Sequence, residues 1–280
     1  MPESAKKGDA LSYRNKVVVI TGAAGGLGSA MAERFARAGA FLALLDIRLD
    51  AVQALADKLQ PQCRQAMALE CDITDPDQCR RAMETITAHF GRIDVLINNA
   101  GITHRSAFAE TEVQVFRKVM DVNFFGTLYC TRFAIPSLRQ HRGQIIVISS
   151  VAGFAPLYGR SGYAASKHAL HGLFDTLRAE LKESGVRVML VCPGFTATGI
   201  EHRALDADGS ITRHPRSTTG RIAQPDEVAE AVFRAAERGK RLLVLSRVGK
   251  LSYWLTRFWP ALYERLMIRR LQQELQRERA

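Results

Sequence analysis

The sequence predicts an α/β fold, a doubly wound parallel sheet of about seven strands with helices on both faces. Three observations predict it. Short apolar β-type runs alternate with helical patterns along the chain, and such alternation gives parallel strands buried under crossover helices. A glycine-rich turn joins the first apolar run to the first helical one. No internal repeat or low-complexity linker interrupts the 280 residues, and at 47% hydrophobic a single α/β domain of this length buries a substantial core.

The elements follow in order. Residues 1–15 mix Lys6, Lys7, Gly8 and Asp9 without an apolar core and read as a flexible lead-in with no secretory signal. A first strand over 17–21 runs into the turn Thr21-Gly22-Ala23-Ala24-Gly25-Gly26-Leu27-Gly28, and a helix is expected over 27–38. Missing side chains in such a turn let backbone approach a ligand, while the free N–H groups of the helix start face its charge. That order of strand, turn and helix predicts a dinucleotide phosphate site. The second strand, 41–46, ends in Asp46. A carboxylate there accepts hydrogen bonds from the adenosine ribose hydroxyls of NAD and repels a 2′-phosphate, so NAD is expected over NADP. Further strands are expected over 66–71, 95–98, 145–149, 186–192 and 242–245, giving one catalytic domain over 16–246.

A helix ending near Leu181 carries Tyr163 and Lys167, four residues apart in Tyr-Ala-Ala-Ser-Lys, and this spacing puts both on one face. The unperturbed phenol pKa is about 10, too high for acid–base work at neutral pH. A lysine ammonium roughly 4 Å away, at an effective dielectric of about 20, favours the phenolate by up to about 4 kcal/mol. The pair can thus give and take protons near working pH. Alone, the pattern is common on helices and reads first as a plain surface pair; the glycine turn upstream gives it a cofactor to serve.

Several ordered motifs, spread over 16–245, resemble the short-chain dehydrogenase/reductase family. Thr21-Gly22-x-x-x-Gly26-x-Gly28 resembles its cofactor turn, with Leu27 inside it. Asp72, beside Ile73, is similar to the acid that contacts adenine; Asn98-Asn99-Ala100-Gly101 resembles the motif closing the fourth strand. Asn123 matches the catalytic-site asparagine, and Ser150, thirteen positions before Tyr163, the catalytic serine. The stretch Pro193-Gly194-Phe195-Thr196-Ala197-Thr198 resembles the segment that holds the nicotinamide end. The resemblance implies hydride transfer between nicotinamide and an alcohol, ketone or aldehyde. It assigns Ser150 and Tyr163 to the reacting oxygen, Lys167 to the nicotinamide ribose and Asn123 to a water linking Lys167 to solvent. A homodimer or homotetramer is expected. The epimerases that share this chemistry space their first turn as Gly-x-x-Gly-x-x-Gly, which is not the spacing here. A nucleotide sensor that has lost catalysis, or a membrane scaffold, are the readings from other classes; both catalytic Tyr163 and Lys167 are kept.

The five cysteines contain no C-x-x-C pair and are odd in number, as expected of reduced thiols in a cytoplasmic protein. His168 and His171 lack a third ligand at metal spacing, so no metal is expected. The net charge of +11 is concentrated towards the C-terminus, where residues 247–280 hold eight Arg or Lys against three Glu, with no nucleic-acid module. This basic aromatic extension contains Trp254, Trp259, Tyr253, Phe258 and Tyr263, with apolar residues at helical spacing and a break at Pro260. Charged residues interrupt any run long enough to span a bilayer. Three readings stand: a helix pair lying on an anionic membrane surface, a cover over the substrate mouth or a subunit contact, and a solvated tail. Phe154, Pro156, Leu157, Tyr158 and Phe195 suggest an apolar pocket wall for a hydrophobic alcohol or ketone, though core packing explains some of them equally well, and 196–220 reads as a flexing lid with glycines at 199, 209 and 220.

Overall fold

The computed structural model describes residues 12–212 and 221–276. The expected lead-in up to residue 11, the lid residues Arg213, His214, Arg216 and Gly220, and the last four residues lie outside that range.

Seven parallel strands stand in the order β3-β2-β1-β4-β5-β6-β7. They are β1 Val17–Thr21, β2 Phe41–Asp46, β3 Gln65–Glu70, β4 Val95–Asn98, β5 Gln144–Ile148, β6 Arg187–Cys192 and β7 Leu242–Val244. Alternating side chains of β1 feed opposite faces, as a two-residue period requires. Val18 and Ile20 join one apolar cluster with α1 (Gly26–Arg37), α2 (Leu49–Leu59) and α7 (Pro225–Glu237). Val17 and Val19 join the other with α3 (Pro76–Phe90), α5 (Thr127–Gln140) and α6 (Ser161–Glu180). The sheet is therefore doubly wound. Strand order reverses between β1 and β4, where the register runs Val18 to Val95 and Ile20 to Ile97. In open sheets of this kind ligands bind at the carboxyl ends of the strands beside that reversal.

Element ends differ from the sequence reading by a residue or so. Cys71, expected inside the third strand, lies just past it, although its N–H still donates to Asp46 O (2.9 Å). Between α4 (Val113–Met120) and α5 the chain makes a π-helical turn, Asp121–Gly126, which no pattern in the sequence announces. Two expectations meet firmer structure than foreseen. Tyr13, placed in the lead-in, is 4% exposed, and its hydroxyl donates to Gln144 Oε1 (2.8 Å). The lid segment is stitched to the body over its described part: Ala223 N donates to Phe195 O (2.9 Å), Ala197 N to Ala223 O (3.0 Å) and Leu205 N to Thr103 O (2.9 Å).

After β7 the extension forms α8 (Arg247–Phe258) and α9 (Pro260–Gln276), broken at Pro260 as a proline ring requires. Ser246 caps α8 by accepting from Gly249 N (2.8 Å).

Candidate active site

The glycine turn closes over itself. Gly22 adopts φ +61°, and a Cβ on it would meet Ala100 Cα at 2.8 Å. A Cβ on Gly28 would lie 2.3 Å from Gly22 O, and one on Gly26 would lie 3.0 Å from Thr198 Cα. No other residue fits these positions, so the α1 N-terminus stays bare for a phosphate. Thr21 and Asn99 hold the turn from behind: Thr21 Oγ1 accepts from Asn99 N (3.0 Å) and Ala100 N (3.1 Å), while Asn99 Nδ2 donates to Thr21 O and Gly22 O (both 3.0 Å).

Asp46 ends β2 beside this turn, 8% exposed. Its Oδ2 accepts from Ala24 N (3.0 Å) and its Oδ1 from Arg48 N (3.2 Å), with the Arg48 guanidinium 3.6 Å away. Asp72 accepts from Thr74 N (2.9 Å) and Thr74 Oγ1 (2.8 Å), which fixes the carboxylate at the rim.

Ser150 follows β5. Its Oγ accepts from Ala152 N (3.1 Å), which leaves the hydroxyl hydrogen to donate elsewhere. Tyr163 and Lys167 share a face of α6, with Lys167 Nζ 5.8 Å from the Tyr163 ring centroid. An ammonium on the same helix face favours the charged form of the phenol. Lys167 is itself buried, and burial pushes its pKa down to about 8. Nζ donates to Ile148 O (3.0 Å), leaving two further donors for a ligand.

All the expected cofactor and catalytic residues line one cleft except Thr21 and Asn123. Asn123 sits in the π-helical turn and is fully buried. Its Oδ1 accepts from Ile102 N (2.8 Å), and its Nδ2 donates to Ile102 O and Ser166 Oγ (both 2.9 Å). Ser166 Oγ in turn donates to Tyr163 O (2.8 Å). The carboxamide is thus a brace between the loop after β4 and the turn of α6 that carries Tyr163.

The cleft encloses about 1730 Å³. That exceeds the roughly 300–1,000 Å³ of a site for one small ligand, and leaves room for a dinucleotide and a second molecule. Of the expected pocket wall, Pro156, Leu157 and Phe195 line it. Phe154 does not; its ring packs on Tyr253 at 5.1 Å and on His171 at 6.1 Å. Tyr158 does not line it either and is 39% exposed.

Of the three readings of the extension, the cover over the substrate mouth matches the remaining lining of the cleft. Leu251, Leu255, Leu266 and Met267 of α8 and α9 roof the apolar end, and Tyr263 donates to Pro156 O (3.1 Å). A Cβ on Gly249 would lie 2.9 Å from Val151 Cγ2, so α8 is seated directly on the turn after Ser150. Arg203, in the turn Ile200–Arg203, lines the phosphate end, its Nη2 4.0 Å from the Cβ position of Gly25. His168 Nδ1 lies 2.9 Å from Ala164 O and His171 Nε2 lies 3.0 Å from Ser149 Oγ. All five cysteines are free.

Known proteins share this sequence pattern and fold. A family model described as short chain dehydrogenase matches residues 16–208. The mouse protein named Dehydrogenase/reductase SDR family member 7B is 38% identical over 93% of this chain and 83% of its own length. The sesame protein named 11-beta-hydroxysteroid dehydrogenase A is 34% identical over 89% of this chain and 73% of its own. Among solved structures, a short chain dehydrogenase/reductase from Burkholderia phymatum in complex with NAD superposes with a TM-score of 0.81 at 26% identity, covering 90% of this chain and 96% of that one. An alcohol dehydrogenase from Thermococcus sibiricus complexed with 5-hydroxy-NADP gives a TM-score of 0.72 at 26% identity, over 83% and 95%.

Proposed function

The chain belongs to the short-chain dehydrogenase/reductase family, oxidoreductases acting on a CH–OH group with NAD or NADP, and from that premise we propose that it interconverts a hydrophobic alcohol with its ketone or aldehyde. The observation that carries the substrate class is the roof of the cleft. Leu251, Leu255, Leu266 and Met267 line the same cleft as Pro156, Leu157, Ser150 and Tyr163, and Tyr263 ties α9 to Pro156 O. Apolar walls with a few convergent polar groups select a lipid-, steroid- or retinoid-like molecule with one reacting oxygen.

Bound along the glycine turn, the nicotinamide cofactor supplies or takes up the hydride. In the reductive direction the substrate oxygen gains negative charge and needs donors aimed at it. Ser150 offers the hydroxyl hydrogen that its contact with Ala152 N leaves free. Tyr163 delivers the proton. Lys167 uses its two remaining donors on the ribose and favours the Tyr163 phenolate. Asn123 holds Tyr163 in place through Ser166, its carboxamide being engaged by protein on both sides, so we assign it bracing and not the water position implied by the resemblance. Asp46 takes the adenosine ribose, which supports NAD over NADP. Turnover on a panel of secondary alcohols tests the reading: steroid and long-chain substrates should exceed short polar ones, and the preference should collapse when residues 247–280 are deleted. Equal rates on short polar alcohols would overturn the substrate class.

The outer face of α8–α9 supports a second feature. Trp254, Phe258 and Trp259 are 57%, 62% and 61% exposed, with Leu262 also open. Arg257, Arg265 and Lys250 stand among them. Amphipathic aromatics beside cations suit an anionic membrane surface, and the same helices roof the cleft that such a surface would supply. No helix among the described residues is long and apolar enough to cross a membrane.

A further inference from the structure

The helix that carries Tyr163 begins without a cap of its own. The first N–H groups of any α-helix lack partners within it. At α6 the N-cap position is Arg160, whose side chain offers no acceptor and makes no capping bond. Ser, Thr, Asp or Asn would normally stand there.

The missing acceptor comes from elsewhere in the chain. His104, in the loop after β4, is 0% exposed, and its Nε2 lies 2.9 Å from Gly162 N. Gly162 is the residue before Tyr163, and a Cβ on it would come 3.0 Å from that Nε2 and 2.8 Å from Phe116 Cδ1. Glycine therefore keeps the approach open.

The other ring nitrogen fixes the proton. Thr111 Oγ1 donates to Ala107 O (2.7 Å), so in its 2.7 Å contact with Ser106 Oγ it must accept. Ser106 spends its hydrogen there and accepts from His104 Nδ1 (3.3 Å). The chain of donors leaves one tautomer: Nδ1 carries the hydrogen and Nε2 is the acceptor for Gly162 N–H. Burial, with the Arg160 charge second, pushes the imidazole pKa down to about 4, so the ring is neutral at working pH.

We infer that His104 is a positioning residue, a neutral imidazole that caps the catalytic helix from outside and sets Tyr163 at its distance from Lys167. The inference deepens the proposed function, because it rests on Tyr163 being the proton donor. The same stretch of chain is tied to the segment after β6, with Arg105 N donating to Leu205 O (2.8 Å) and Leu205 N to Thr103 O (2.9 Å). His104 thereby joins the substrate-side segment to the catalytic helix in one backbone-linked unit.

Two measurements test this without needing the substrate. The first is ¹⁵N NMR of the protein labelled at histidine, with the His104 signals identified by their loss in His104→Gln. A neutral ring with hydrogen on Nδ1 at pH 7 is expected; a hydrogen on Nε2, or a doubly protonated ring, would overturn the cap. The second is a spectrophotometric titration of the Tyr163 phenolate, taken as the difference from Tyr163→Phe. With the cap removed in His104→Leu, Tyr163 drifts from the Lys167 ammonium, and the midpoint should rise by about one pH unit. In His104→Gln, whose amide oxygen can replace Nε2, it should return towards wild type. An unmoved midpoint in folded His104→Leu, or an equal shift in both variants, refutes positioning. If His104→Leu does not fold, the ¹⁵N result on the wild type still decides. A null turnover panel would sink the proposed function and leave both of these readings standing.

Discussion

At the scale of single residues, the two charges that govern the site oppose each other. Lys167 favours a phenolate at Tyr163, yet it holds its own charge in a buried place. Tyr163→Phe is expected to lower turnover at least 10²- to 10⁴-fold while leaving cofactor affinity nearly intact, read by steady-state rates against a binding titration. Lys167 has its pKa lowered from its ordinary 10.5 to about 8. The folded protein therefore binds fewer protons than the unfolded chain between those values, and stability rises with pH across that window. Below about pH 8 the buried ammonium costs stability. Lys167→Met should melt higher than wild type at pH 7, lose that advantage by pH 10, and have no useful turnover. Thermal melts at both pH values check the sign; a variant that melts lower at pH 7 would show that the charge is better solvated than its burial implies. Asp46 and Arg48 pose the cofactor choice. NAD should bind tighter than NADP, and Asp46→Ala should narrow the ratio by about tenfold, on the order of 1.4 kcal/mol, as repulsion of the 2′-phosphate ends and Arg48 is released to meet it. Titration of both proteins with both cofactors measures it. Arg203→Ala should weaken cofactor binding, since its guanidinium stands beside the glycine turn.

Among the elements, the core strands were legible because each buried strand writes a continuous apolar run, and because glycine spacing marks the first turn. The catalytic helix was legible from Tyr163 and Lys167 only once the glycine turn and Ser150 stood upstream of them. Other parts left no local trace. The π-helical turn at Asn123 has no composition of its own, and His104 looks like any loop histidine until Gly162 is folded against it. Phe154 was misplaced because an aromatic beside a catalytic serine reads as pocket wall, whereas here its ring supports α8 through Tyr253. That α8–α9 roofs the cleft also could not be told from helical periodicity, which gives the apolar face and not its partner. The hairpin now presents two apolar sides, one on the cleft and one open. Co-sedimentation with anionic liposomes is expected at low salt, weakening as salt rises. Trp254→Ser with Trp259→Ser should reduce binding by at least an order of magnitude and leave cofactor titration unchanged, because both indoles face outward. A wild-type protein that stays in the supernatant at low salt removes the membrane from the account.

For the molecule as a whole, the cleft is built from both halves of the sheet, so a cofactor grips both at once. Saturating NAD at about 100 times its dissociation constant should add roughly 2.7 kcal/mol of stability, with a smaller gain from NADP at the same concentration. Thermal melts with each cofactor test this at the level of the entire fold. The two halves also share a fastening at the far end. Tyr13 bonds Gln144 and rests against Phe35 and Phe233, with ring centroids 4.9 and 5.1 Å away. Its partners are scattered along the chain, and the last of them emerges about 10–45 s after Tyr13 itself at ordinary rates of synthesis. Tyr13 is thus among the last of these side chains to find its place, and until then it waits uncovered. In the complete chain the bond from Tyr13 to Gln144 closes a loop of 131 positions, and the entropy cost of that closure favours its forming after the folding transition state. Tyr13→Ala should therefore hasten unfolding while barely slowing refolding.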